Sequence, residues 1–161
     1  DEYGDFVAAW VRKPFTDQDV AAALTAVSEA PLVLIVEDDQ DLARVIAASL
    51  ENQGMRTVWA ANGVEAVEAC GALTPALVVL DLVLPELDGF ALVTWMRKSN
   101  VLDHVPLLVY SATEVSAADQ PRLTLGPTEF LTKSRNPMST VADRAMSLLR
   151  AGARKEMPDA A

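Results

Sequence analysis

The chain has 161 residues and a formal net charge of -10, with 13 basic against 23 acidic side chains; it is long enough for one domain of about 120 residues with a real core plus short appendages. This charge repels nucleic-acid backbones and acidic membrane surfaces, which sets aside a nucleic-acid or membrane partner. No apolar stretch approaches the roughly 18 to 20 residues of a membrane helix and no leader-peptide pattern opens the chain, so a soluble, cytoplasmic protein is expected.

Residues 5–15 read as a strand ending in Lys13-Pro14, followed by a helix over 17–29 with Thr16 as its N-cap and Val20, Leu24 and Val27 at helical spacing. One strand and one helix have no sheet of their own, so this unit is expected to dock on a neighbour, with pairing in a homodimer the favoured outcome. Ala30-Pro31 marks the boundary, because a residue before proline disfavours helix. A main domain is expected over 31–152.

Within it, Leu32-Val33-Leu34-Ile35-Val36 is a short, continuous apolar run, the pattern of a strand buried on both faces. Leu42, Val45, Ile46 and Leu50 then recur at helical spacing until Gly54. Residues 55–60 read as a strand and 64–69 as a helix that stops near Gly71 and Pro75. Cys70 is the only cysteine; it cannot form an internal disulfide, and its spacing from Ala66 points to packing. A second buried run, Leu77-Val78-Val79-Leu80, leads through the loop 84–89 into an amphipathic helix over 90–98. His104, the only histidine, falls in a loop and has no donor motif around it. Leu107-Leu108-Val109-Tyr110 is the third buried run. The segment 116–125 predicts a helix that is short or starts late, because Pro121 fits only a first turn. Phe130-Leu131 is the fourth such run, read as the last strand and likewise expected to be buried on both faces; residues 139–149 are the last helix and 153–161 a frayed tail.

The polar residues immediately after these runs carry the chemistry. Glu37 and Asp38 follow the first, Asp81 the second, Ser111 the third and Lys133 the last. In an open parallel sheet the carboxyl ends of the strands form the ligand rim, so three carboxylates, a hydroxyl and an ammonium meet in one crevice. Clustered carboxylates repel unless they share a cation. Mg²⁺ suits them, because it takes oxygen ligands, keeps several waters and pairs one or two carboxylates with phosphate oxygens. With the charge so neutralised a carboxylate can attack phosphorus, and Asp81, after the expected central strand, is the candidate. Lys133 offers a point charge and Ser111 a donor for phosphoryl oxygens. Taken singly, each has a plainer reading: helix start for the acids, turn former for Ser111, surface charge for Lys133. Their coincidence after successive strands argues for function.

From Leu32 to Leu149 the chain resembles the receiver domain of two-component response regulators. Val36-Glu37-Asp38-Asp39 is similar to the family's acid-pair motif, residues 80–89 to its phosphorylation loop, Ser111-Ala112 to its hydroxyl-alanine pair, and Phe130-Leu131-Thr132-Lys133 to its aromatic-x-x-lysine end. The resemblance implies a flavodoxin-like, doubly wound, five-stranded parallel sheet, here with an N-terminal β-α extension. It implies that Asp81 accepts phosphate from a histidine kinase or histidine phosphotransfer protein. It also implies that Asp38, Asp81 and the Val83 carbonyl hold Mg²⁺ with help from Glu37, and that Ser111 and Phe130 form the coupled switch. On this reading the chain is not an enzyme beyond its own phosphorylation and dephosphorylation.

Two departures stand out. Ser134 occupies the place where the family usually has proline after the lysine, which puts the position of Lys133 in question, and Pro121 and Pro127 alter the region that normally signals. Trp10 to Phe15 resembles the last strand and Lys-Pro turn of a second receiver, so residues 1–30 read as the tail of an upstream receiver domain. No output domain is expected after Leu149. The competing function is a pseudo-receiver that only mediates protein contacts. An aspartate-nucleophile phosphatase is disfavoured by Val83 where its motif needs a second aspartate, and flavin binding by the acids 37–39 where a phosphate would sit.

Overall fold

A computed structural model describes residues 30–156. The strand and helix expected in residues 5–29, their resemblance to an upstream receiver and association through them lie outside the described residues, as do residues 157–161. Ten elements follow in strict alternation: β1 (Leu32–Val36), α1 (Gln40–Asn52), β2 (Arg56–Ala60), α2 (Gly63–Ala72), β3 (Leu77–Leu80), α3 (Gly89–Arg97), β4 (Leu107–Ser111), α4 (Gln120–Leu123), β5 (Thr128–Thr132) and α5 (Met138–Glu156). All strand pairs are parallel and the order is β2-β1-β3-β4-β5, the doubly wound arrangement expected.

Burial follows the sequence pattern. Three of the four continuous apolar runs form β1, β3 and β4, which are buried along nearly their whole length; the fourth, Phe130-Leu131, differs from expectation, because β5 is an edge strand and is only half-buried, as is the other edge strand β2. Alternate residues of β1 serve opposite halves of the core. Leu34 and Val36 pack with Ala66, Cys70, Leu92 and Met96 from α2 and α3, while Val33 and Ile35 pack with Ile46, Leu50, Val141 and Ala145 from α1 and α5. Cys70 packs as expected, and burial raises its thiol pKa to about 11.

The helix starts are set by short polar side chains. Asp39, Asn62 and Asp88 each accept a backbone N–H of the first turn, from Leu42, Glu65 and Ala91, satisfying donors that a helix leaves open. The fourth helix is short and late, with Pro121 in its first turn. Two boundaries differ from expectation. α2 runs on to Ala72, through Gly71. α5 runs to Glu156 instead of ending at Leu149, so the start of the expected frayed tail is helical. Gly152 does not end α5 because it serves a close approach: a Cβ there would lie 2.7 Å from Pro106 Cγ, and Ala151 and Ala153 beside it are the strongest helix formers.

Candidate functional site

The order in which strands are added to the sheet reverses between β1 and β3, since β1 leads outward to β2 on one side and β3 continues to β4 on the other. Such a reversal opens a crevice at the carboxyl ends of the two strands. Glu37 and Asp81 are the first residues past those ends, each fixed by a backbone bond to the neighbouring strand: Glu37 N–H donates to Ala60 O (3.1 Å) and Asp81 N–H to Val36 O (2.9 Å). Glu37, Asp38 and Asp81 each bring a carboxylate oxygen to a point where all three lie within 4.8 Å of one another, Glu37 and Asp81 buried and Asp38 exposed.

Lys133, just past β5, crosses the mouth of this cluster. Its Nζ lies 2.9 Å from Glu37 Oε2 and 3.4 Å from Asp81 Oδ2. Its backbone N–H donates to Ser111 O at 2.7 Å, so the lysine backbone is tied to the end of β4. Ser111 is buried (3% exposed), and its hydroxyl accepts the Thr113 N–H. Val83 is 76% exposed on the loop above Asp81, and its N–H reaches Asp81 Oδ1 at 3.4 Å. Phe130 stands apart from the crevice. It packs against the α2-α3 half of the core and lines a groove with Arg97, Gln120, Pro121 and Thr124. The structure thus gathers five of the seven expected residues, Glu37, Asp38, Asp81, Ser111 and Lys133, sets Val83 at the rim, and keeps Phe130 two residues of β5 away from Thr132, the register partner of Ser111.

Burial dominates the electrostatics. Glu37, 2% exposed, has its pKa pushed up to about 7 by loss of solvation, which the hydrogen bond from Lys133 only partly offsets, and the charge of Asp81 adds to the rise. Burial pulls Lys133 the other way, but its hydrogen bond to Glu37 and the charges of Asp81 and Glu37 prevail and hold its pKa above the usual lysine value. The two partners differ because the Glu37 side chain is 3% exposed and that of Lys133 21%, so the carboxylate loses more water. Lys133 is therefore an ammonium held inside the acidic crevice.

Three contacts escaped the sequence reading. Trp59 Nε1 donates to Glu37 O at 2.7 Å, and Tyr110 and Asn136 pack around the base of the Lys133 loop. Trp59 sits at the end of β2, and the strand assignment alone could have placed it on the rim. The Tyr110–Asn136 pairing has no signal in sequence spacing. Ser134 does not displace Lys133: the ammonium reaches both acids without a proline after it.

A five-stranded 2-1-3-4-5 sheet with an acid cluster at the β1/β3 reversal and a lysine laid over it defines a narrow class. A model of the response regulator receiver domain matches residues 33–143, and the chain belongs to that family, whose place is in two-component signalling. Among curated relatives it is 33% identical over 117 residues to the Regulator of RpoS of Escherichia coli (strain K12), covering 73% of this chain and 34% of that one. It is 29% identical over 118 residues to the alkaline phosphatase synthesis transcriptional regulatory protein PhoP of Bacillus subtilis, covering 73% and 48%. The chain thus spans half or less of these relatives. Among solved structures, the receiver domain of the Francisella response regulator 1452 superposes with a TM-score of 0.67 at 28% identity over 75% of this chain and 98% of that one. The receiver domain of a signal transduction histidine kinase from Syntrophus aciditrophicus does so at 0.68 and 27% over 82% and 98%. Among the described residues no helix is long and apolar enough to cross a membrane.

Proposed function

We propose that Asp81 is a phosphoacceptor, taking its phosphoryl group from a histidine kinase or a histidine phosphotransfer protein, and that the phosphorylated domain changes the face around Phe130. The observation that carries this reading is the contact of Lys133 Nζ with the buried acids Glu37 and Asp81 of one acid cluster. In the transfer a P–O bond forms to the Asp81 carboxylate as the donor's P–N bond breaks, and the electron pair leaves with the imidazole. Lys133 stabilises the charge on a phosphoryl oxygen, and the Ser111 hydroxyl donates to another.

The donor set fits a hard divalent cation, because it offers clustered carboxylate oxygens, of which Mg²⁺ takes one or two beside waters and phosphate oxygens. Asp38, Asp81 and the Val83 carbonyl would hold it, with Glu37 assisting, and when bound it neutralises phosphoryl charge. Hydrolysis would use the same crevice: water attacks phosphorus, the P–O bond to the Asp81 carboxylate breaks, and inorganic phosphate and a proton leave. Ser111 and Phe130 are assigned as the switch pair, linked through the β4-β5 register. The groove beside Phe130, lined by Arg97, Gln120 and Pro121, is the surface the switch would remodel.

Intact mass after acetyl phosphate and Mg²⁺ tests the reading. The parent gains one phosphoryl group and Asp81→Asn gains none. A parent that gains nothing, or an Asp81→Asn protein that gains as much, overturns it. The first outcome would favour a receiver that acts only through protein contacts, a reading to which Ser134 alone lends support.

A further inference from the structure

We propose that the Asn136 side chain is the positioning residue for Lys133, supplying the backbone restraint that proline gives where it follows the lysine. The inference rests on the phosphoacceptor reading and deepens it. In a parallel strand successive N–H groups point to opposite sides. Lys133 N–H is used toward β4, on Ser111 O, so the N–H of Thr132 points to the open edge of the sheet, where β5 has no neighbouring strand. That donor is taken by Asn136 Oδ1 at 2.9 Å. The exchange is reciprocal, because Asn136 N–H returns to Thr132 O at 2.9 Å, a carbonyl that also accepts from Arg135 N–H at 3.0 Å. The chain from Thr132 to Asn136 is thereby closed on itself with Lys133 inside the loop.

A third tie comes from the neighbouring strand. Tyr110, the residue before Ser111, donates its hydroxyl to Asn136 O at 3.2 Å, and its ring lies 6.0 Å from Lys133 Nζ. Asn136 therefore uses its N–H, its carbonyl and its side chain to fix the stretch that aims Lys133 at Glu37 and Asp81. Ser134 offers no such restraint, since only proline locks φ by its own ring. Of the three ties the side chain is the one that a substitution of Asn136 itself removes while the bonds to its N–H and carbonyl stay.

The test follows the rate of mass gain with acetyl phosphate, alongside Mg²⁺ affinity and the urea midpoint, in the full chain. Asn136→Ala is expected to slow phosphorylation about tenfold, since a misaimed catalytic group costs that order or more, while Mg²⁺ affinity stays within about twofold because no metal-side acid is touched. Asn136→Asp keeps the acceptor and should recover most of the rate. The decisive measurement is the pair: in a Lys133→Ala background Asn136→Ala should slow the reaction no further, as an effect carried through the lysine must be lost with it. Equal rates for the parent and Asn136→Ala overturn the inference, as does an undiminished loss in the Lys133→Ala background or parental phosphorylation by Lys133→Ala itself. Asn136→Leu, of nearly the same size, repeats the series if Asn136→Ala does not fold. A parent that gains no mass overturns the phosphoacceptor reading and this one with it, whereas a phosphorylated parent matched by Asn136→Ala overturns this one alone.

Discussion

Strands β1, β3, β4 and β5 are entered through proline or the residue after one, at Pro31, Pro75, Pro106 and Pro127, and left through Glu37, Asp81, Ser111 and Lys133. At the entry pole the carbonyls of Pro31, Pro106 and Pro127 accept the N–H groups of Arg56, Val78 and Leu107 at 2.8, 3.1 and 2.9 Å, so the sheet begins with fixed φ and paired acceptors and no proline donor to satisfy. At the exit pole stand Glu37, Asp81 and Ser111, which are the buried polar or charged side chains among the described residues. One end of the same strands is built for stability, and the other concentrates desolvated charge. A functional rim on a stable frame is expected to break local rules of stability, and the two poles should respond to substitution in opposite ways.

The largest effect belongs to the entry pole. A Cβ at Gly126 would stand 2.1 Å from the His104 carbonyl oxygen and 2.9 Å from that of Val105, and both obstacles are backbone. Gly126→Ala should lower the unfolding free energy by about 3 kcal/mol yet leave Mg²⁺ affinity of the folded fraction unchanged. Urea denaturation and a metal titration on the same samples check this; weakened metal binding in folded protein would show the poles to be coupled. At the exit pole Asp38→Ala should do the reverse. Its side chain is exposed, so stability should hold within about 0.5 kcal/mol, while Mg²⁺ affinity should fall about tenfold or more with one ligand gone. Parental affinity in Asp38→Ala would remove it from the metal set.

The same contrast explains what the sequence could disclose. Strands such as Leu77–Leu80 declare themselves, because burial on both faces demands an unbroken apolar run, and the residue after each run inherits a place on the rim. Glu37, Asp38, Asp81, Ser111 and Lys133 were legible for that reason. The end of α5 was not, since its last turns are held by the approach of Gly152 to Pro106, a contact that no apolar spacing records. Asn136 was hidden too. Its bonds to Thr132 and Tyr110 depend on which way a β5 edge donor points, and no periodicity records that.

A third, smaller effect is on pH. The folded-state pKa of Glu37 stands at about 7, against 4.5 for the free group, chiefly through burial. Between those values the folded chain holds a proton that the unfolded chain has released, so this group's contribution to stability falls as pH rises through the window. A divalent cation needs the carboxylate, so metal affinity should rise over the same range, by about tenfold between pH 6 and pH 8 for one competing proton. Melting scans with and without Mg²⁺ should show a stabilisation that grows from pH 6 to pH 8. A metal-induced shift that is flat across this range would mean that Glu37 is not part of the cation's surroundings.

The smallest effect concerns the ammonium at the border of the acid cluster. Lys133 Nζ sits 2.9 Å from Glu37 and 3.4 Å from Asp81, where it already neutralises part of the charge that a metal would neutralise. Removing it with Lys133→Ala takes a positive neighbour away from the cation site, which should tighten Mg²⁺ by a few-fold, about 0.5 to 1 kcal/mol. An opposing term comes from Glu37, which loses the lysine hydrogen bond that now holds its pKa down and so binds its proton more firmly. The tightening should therefore show at pH 8, where the carboxylate is free, and shrink or reverse near pH 6. Phosphorylation should slow at both values, because the phosphoryl oxygens lose their counter-charge wherever the metal stands. Mg²⁺ binding that weakens at pH 8 in Lys133→Ala would show that the lysine organises the acids more than it competes for them, and the exit pole would then owe its shape to one side chain.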